Sequence, residues 1–220
     1  VFEKEKRPGG MLMNGIPSFR LEKDVINAEI DVLREMGVEF KCGVEVGEDI
    51  TIAQLREQGY KAFYIAIGAQ GGRMTGVPGE DAVGVETGVD FLRRVNLNEE
   101  GVKLAGKTVV IGGGNVAVDV ARTALRTGSS DVSMFCLESR DIMPAADDEV
   151  AEAEEEGIVV NNSWGPKEIL TENGKVTAVV FKKCISVLDE NKRFSPKYDE
   201  EELLTVPCDQ VLLSIGQSIK

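Results

Sequence analysis

The stretch VVIGGGNVAVD, Val109 to Asp119, decides how this sequence is read. Its apolar start has the length and β-branched content of a buried strand, and from Val116 onward the apolar residues recur at helical intervals. Between them, Gly112, Gly114 and Ala117 fit the pattern G-x-G-x-x-A. The first small residue permits a tight turn, the second lets a pyrophosphate approach the backbone, and the third lets helix and strand pack closely. A helix that starts here offers unpaired N–H groups and a positive dipole end to phosphates. A glycine turn that holds no ligand is the competing reading, and the motif alone does not decide between them.

Its surroundings do. KTVVIG, NVAVDVARTALRTG and DVSMFCLE follow one another as strand, helix and strand. Together they span about thirty residues, the size of a crossover between parallel strands. Glu138 stands at the end of the second strand, 21 residues past Ala117. An acid at that place meets the ribose 2′-hydroxyl of a dinucleotide. The pattern therefore assigns Gly112, Gly113, Gly114, Asn115 and Val116 to a pyrophosphate, and Glu138 with Arg140 to an adenosine ribose. A carboxylate accepts hydrogen bonds from a 2′-hydroxyl and repels a 2′-phosphate, so the preference falls to NAD(H) over NADP(H). Arg140 keeps a phosphate clamp open, and a solvated strand-end acid is the plainer reading of Glu138.

Further out, AADDEVAEAEEEG reads as a second helix closed by Gly157, and IVVNN as a third strand. The pattern then changes to hairpins. Asn173-Gly174 turns between the strand-like runs of KEILTENGKVTAVVFKKCISVL. DENKRFSPKYDEEE reads as a polar loop, and VPCDQVLLSIG as a last buried strand. Upstream, DVINAEIDVLREM places Ile26, Ile30 and Leu33 on one helical stripe ending at Gly37, and ITIAQLREQG is a short helix closed by Gly59. GVEFKCGVEV between them holds a short strand or strand pair. KAFYIAIGA, Lys61 to Ala69, is a nearly continuous apolar run that suits a parallel strand covered on both faces. Gln70 to Glu86, dense in Gly and Pro, marks a domain boundary, and TGVDFLRRVN gives a helical turn or two.

Composition bounds the function. With 42% apolar residues, 24 glycines and 5% aromatics, the 220-residue chain is expected to be a globular α/β protein. A formal charge of −13 repels both nucleic acid and anionic lipid, and neither is expected as a partner. No run is long enough for a signal peptide or a membrane span, which points to the cytoplasm. The four cysteines, Cys42, Cys136, Cys184 and Cys208, form no C-x-x-C and read as reduced thiols rather than metal ligands. Without histidine, the commonest general base near neutral pH is missing, and no residue is assigned as catalytic. Chemistry here must lean on a cofactor.

Taken in order, PGGMLMNGIPSFRL (Pro8–Leu21), VPGED (Val77–Asp81), GGGNVAVDVARTALRTG, MPAADDEVAEAEEEG (Met143–Gly157) and SIGQ (Ser214–Gln217) resemble one group of proteins. These are the flavin- and pyridine-nucleotide-dependent oxidoreductases related to the small (beta) subunit of glutamate synthase. Their relatives include the N-terminal half of dihydropyrimidine dehydrogenase. The resemblance implies two Rossmann-like units. One is a truncated FAD-type domain over residues 1–100; the other is a NAD(P)-binding βαβαβ domain with an antiparallel β-meander over residues 101–220. It adds Ser139 and Gly216 to the NAD(P) residues, lets the MPA loop line the nucleotide cleft, and assigns Glu3, Gly10 and Gly68 to a partial FAD site. It also implies that the chain is a fragment. The FAD glycines would lie upstream of Val1, a last FAD segment beyond Lys220, and an iron–sulfur domain elsewhere.

In the complete protein, hydride would pass from NAD(P)H to FAD and onward through iron–sulfur centres to a partner. The fragment alone would be inactive and would not retain FAD. Leu137-Glu138 stands where NADPH-using relatives commonly carry two arginines, which agrees with the reading of Glu138. The alternative is a non-catalytic nucleotide-binding module that regulates or scaffolds.

Overall fold

In a computed structural model, which describes residues 1–97 and 101–219, the chain divides into two units, Val1–Ala69 and Gln70–Ser218. The boundary expected at residue 100 falls on residues 98–100, outside the described residues.

The first unit holds β1 (Phe2–Glu3), α1 (Gly10–Asn14), α2 (Lys23–Glu35), β2 (Lys41–Cys42) and α3 (Ile52–Glu57). The two short strands pair in parallel, Phe2 with Lys41 and Glu3 with Cys42. In α2 the stripe buries Ile26 and Ile30, but Leu33, expected beside them, is exposed. Thr51 starts α3 with a capping box: its hydroxyl accepts from Gln54 N–H at 3.2 Å, and Gln54 Oε1 accepts from Thr51 N–H at 2.9 Å. The expected buried strand at Lys61–Ala69 does not form; Tyr64, Ile65 and Ile67 are 94%, 76% and 64% exposed. A parallel strand needs ladder partners, and no described strand pairs with this run.

The second unit runs β3 (Gly71–Gly72), β4 (Val85–Thr87), α4 (Gly88–Leu97), β5 (Lys107–Ile111), α5 (Asn115–Arg126), β6 (Asp131–Cys136), α6 (Asp147–Glu155), β7 (Val159–Asn162), β8 (Trp164–Glu172), β9 (Lys175–Leu188), β10 (Phe194–Pro207), β11 (Gln210–Leu213) and β12 (Gln217–Ser218). Five strands form a parallel sheet in the order β4-β11-β5-β6-β7. Strand alternation then assigns its two faces. Val110, Val132, Met134 and Leu212 pack on Phe91, Val118, Ala121 and Val150 from α4, α5 and α6. Val109, Ile111, Phe135, Val211 and Leu213 pack on Ile169, Val179 and Phe181 from the antiparallel meander β8-β9-β10. Phe135 and Phe181 stack at 4.1 Å across that second interface.

The hairpin forms at Asn173-Gly174, with both residues at positive φ (51° and 77°), as a two-residue primed turn requires. Two expectations are corrected here. TGVDFLRRVN is the core of a ten-residue helix, since Phe91 and Leu92 bury fully and Thr87 Oγ1 accepts from Asp90 N–H at 3.3 Å. The polar stretch after Asp189 becomes strand from Phe194 onward. Its pairing with β9 supplies the ladder, a register shift after Asp199 takes up the acidic residues, and an edge strand tolerates charge. Among the described residues no helix is long and apolar enough to cross a membrane, and no group of three Cys, Asp or Glu is placed to hold a metal.

Candidate functional site

The glycine loop leaves β5 at the carboxyl edge of the sheet, held from both sides. Gly112 N–H donates to Phe135 O at 2.9 Å, and Ser214 N–H donates to Ile111 O at 2.7 Å. The three glycines meet different surroundings. Gly112 has φ +149°, and a Cβ there would collide with the Ser214 carbonyl. At Gly113 a Cβ would lie 2.8 Å from Glu138 Oε2 and 2.9 Å from Cys136 Cβ. A Cβ on Gly114 would meet nothing within 4 Å, so this residue opens onto free space. Gly114 is also the N-cap of α5 and supplies no side-chain cap. The first N–H groups of the helix, on Asn115 and Val116, thus face the opening without an intrahelical partner. Ala117, the third small residue of the pattern, is fully buried against the sheet.

The MPA loop closes over this turn. Ala145 N–H donates to Gly113 O at 3.0 Å, and Ala146 N–H donates to Asn115 Oδ1 at 2.8 Å. The side-chain oxygen of Asn115 therefore holds the loop, which leaves its backbone N–H for a ligand.

Glu138 is positioned through its backbone. Its carbonyl accepts from Ser163 N–H at 3.0 Å and from Asn162 Nδ2 at 3.2 Å. Asn162 also donates to Cys136 Sγ at 3.3 Å. Burial, reinforced by the Glu138 charge, pushes the Cys136 thiol up to about 11, so it stays protonated near neutral pH. Cys208 is pushed up to about 12, again by burial first and by Asp209 second. All four cysteines are free.

Ser139 precedes a 3-10 turn over Arg140–Ile142. Ser139 also lines a shallow cleft of about 270 Å³ with Leu137, Ile142, Ser163, Cys184 and Val187. Arg140 is engaged: its Nη1 and Nη2 donate to the two carboxylate oxygens of Glu154 at 3.0 and 3.1 Å. Gly216 sits past β11 at φ +121°, and its carbonyl accepts from Arg73 N–H at 3.1 Å. Its neighbour Ser214, rather than Gly216, lies on the glycine loop. The Ser214 hydroxyl is buried and has no hydrogen-bond partner. In the first unit, Glu3 closes β1 with its carboxylate accepting from Glu5 N–H at 2.9 Å, Gly10 opens α1, and Gly68 lies in the exposed run.

Sequence reasoning missed Ser214 and Glu154 as parts of this neighbourhood. Ser214 arrives from a strand about a hundred residues on, and Glu154 reaches Arg140 only once α6 has packed; both lie in the stretches SIGQ and MPAADDEVAEAEEEG, but nothing local ties them to the glycine loop or to Arg140. The residues present fit a dinucleotide: an open approach at Gly114, free first-turn N–H groups, and a carboxylate over the loop. They do not complete a second, flavin-type cradle. In the first unit the only helix that follows a glycine pair, α1, has five residues.

The family model for pyridine nucleotide-disulphide oxidoreductases matches residues 24–220. The beta subunit of the NADP(+)-dependent formate dehydrogenase of Moorella thermoacetica is 38% identical over 99% of this chain and 31% of its own length. The glutamate synthase [NADPH] small chain of Halomonas elongata is 36% identical over 98% of this chain and 48% of its own. The PreT subunit of the NAD-dependent dihydropyrimidine dehydrogenase of Escherichia coli K12 is 35% identical over 99% and 47%. The chain thus spans half or less of the length of these curated relatives.

Proposed function

The chain belongs to the pyridine nucleotide-disulphide oxidoreductase family, and on that premise we propose that it is the NAD(P)H-entry portion of a flavin oxidoreductase. The observation that carries this reading is the glycine loop, where Gly114 opens onto free space beside the start of α5 and Glu138 Oε2 overhangs Gly113. In this reading the pyrophosphate lies on the N–H groups of Gly113, Gly114, Asn115 and Val116, and Glu138 accepts from the ribose hydroxyls. Ser139 and the cleft beside it receive the adenine, and Gly216 borders the nicotinamide end. NAD(H) is preferred over NADP(H), because a 2′-phosphate would face the Glu138 carboxylate.

Hydride chemistry is supplied by the nicotinamide and flavin when bound. The chain's own residues bind, orient and screen. Residues 1–100 are the FAD-type portion, with Glu3, Gly10 and Gly68 at a partial site that other segments complete, and residues 101–220 are the nucleotide domain. Electrons leave through an iron–sulfur domain or partner subunit. Four free thiols suit a reducing compartment, and we place the protein in the cytoplasm.

Titration of the intact protein with NADH and NADPH tests this. Saturable binding of NADH, tighter than NADPH and abolished by Gly114→Asp, is the expected result. Binding of neither nucleotide overturns the site, and clearly tighter NADPH overturns the role of Glu138. The oxidoreductase reading further requires an intact protein that is yellow and reduces a dye with NADH; a colourless, inactive one defeats it.

A further inference from the structure

We propose that Glu154 is a specificity-determining residue that acts on the nucleotide site through Arg140; this rests on the reading just given. Arg140 lies two residues beyond Glu138, in the turn that follows β6, where a 2′-phosphate would seek a cation. Its guanidinium fork is taken. Both terminal nitrogens face both oxygens of one carboxylate, at 3.0 and 3.1 Å, and that carboxylate belongs to the last turn of α6. A guanidinium binds a phosphate with the same two-pronged geometry, so Glu154 occupies the donors that a 2′-phosphate needs.

Two acids therefore bias the site by different routes. Glu138 leans over Gly113 and meets the ribose directly. Glu154 meets no part of the nucleotide; it holds the cation away and would set a negative charge beside any 2′-phosphate that displaced it. A ribose 2′-hydroxyl is met by Glu138 and gains far less from a guanidinium than a phosphate does, so NAD(H) binding depends little on this pair.

The arrangement is also suited to mutation. The Arg140 and Glu154 side chains are 43% and 45% exposed. A pair that exposed adds little to stability, so removing Glu154 leaves the fold intact. The residue is a positioning residue, and its signature is a change in the ratio of two affinities rather than in both.

The experiment measures dissociation constants of NADH, NADPH and 2′,5′-ADP for the intact protein by calorimetry, in wild type, Glu154→Ala, Glu154→Gln, Arg140→Ala and Arg140→Ala/Glu154→Ala. In Glu154→Ala, NADPH and 2′,5′-ADP are expected to bind about tenfold tighter while NADH stays within about twofold. Glu154→Gln lies between, and the gain vanishes in the double variant. Equal shifts for NADH and NADPH, or a gain that survives loss of Arg140, overturn the assignment. Unchanged NADPH binding in Glu154→Ala, with wild type binding NADH normally, overturns it alone. If wild type binds neither dinucleotide, the nucleotide-site reading falls and takes this one with it.

Discussion

β5 and the run Lys61–Ala69 are both apolar and both begin at a lysine, yet they end in opposite environments. In β5, Val109, Val110 and Ile111 are at most 3% exposed, with β11 on one flank and β6 on the other. In the other run, Tyr64, Ile65 and Ile67 stand in solvent. The difference lies in neighbours rather than composition. An apolar run becomes a buried strand when other strands satisfy its N–H and C=O groups and two layers cover its faces. β5 has helices on one face and the meander on the other.

The most severe way to break this contrast is a charge in the supported run. Val110→Asp would bury an unpaired carboxylate under α4 and α5, and should cost more than about 4 kcal/mol, abolishing cooperative unfolding of the second unit in urea. A persistent, wild-type-like transition would show that the sheet is not the stabilising layer. Next comes the loop at the end of β5. Gly112→Ala meets both the φ of +149° and the Ser214 carbonyl, and should cost about 2–3 kcal/mol together with nucleotide affinity. Wild-type melting with normal NADH binding would contradict that.

The third test concerns the helical cover. Arg122, 7% exposed on α5, donates to Glu156 at 2.6 Å and to Glu152 at 2.6 Å, while Arg126 donates to Glu156 at 2.7 Å. The hydrogen bond from Arg126, with support from Arg122 against a smaller opposing effect of burial, holds the Glu156 carboxyl below its ordinary value of 4.5. A carboxylate with a lowered folded pKa stabilises above its ordinary value, and that contribution is lost as pH falls through the folded one. Glu156→Gln should cost about 2 kcal/mol at neutral pH and progressively less at acid pH, as the wild-type carboxylate becomes protonated, with a flatter acid limb in denaturation. A cost that does not change with pH would remove the ion pair from the account.

The mildest substitution sharpens the comparison most. Ile65→Ala should change the stability of this 220-residue chain by less than about 0.5 kcal/mol. In a longer protein whose other strands pair with Lys61–Ala69, the same change should cost about 2–5 kcal/mol. A large effect in the short chain would mean that the run is already covered.

These contrasts also say what was legible beforehand. The strand, glycine loop, helix and Glu138 could be read from their order, because each depends on residues within about thirty positions, and Asn173-Gly174 marked its turn by needing two positive φ angles. What could not be read depended on distant partners. Lys61–Ala69 carries the pattern of a strand and lacks the ladder. The stretch after Asp189 carries the pattern of a loop and gains one from β9. Leu33 fits the stripe of α2 and finds no layer to bury it. Arg140 was legible as a cation near a ribose, while its partner Glu154 became visible only with α6 in place.

The place of β11 has a consequence for how such a chain assembles. It is a central strand, inserted between β4 and β5, and Val211 pairs with Val85 and Val109 far earlier in the chain. During synthesis, β5 and β4 emerge about a hundred residues before the strand that joins them, and until then each keeps an open edge flanked by apolar faces. Closure over so long a loop is slow, and the unfinished sheet is the species exposed to mispairing and to chaperones. β11, the latest in the chain of the five strands in this sheet, is thus its keystone, and it brings with it Ser214, against which the glycine loop turns.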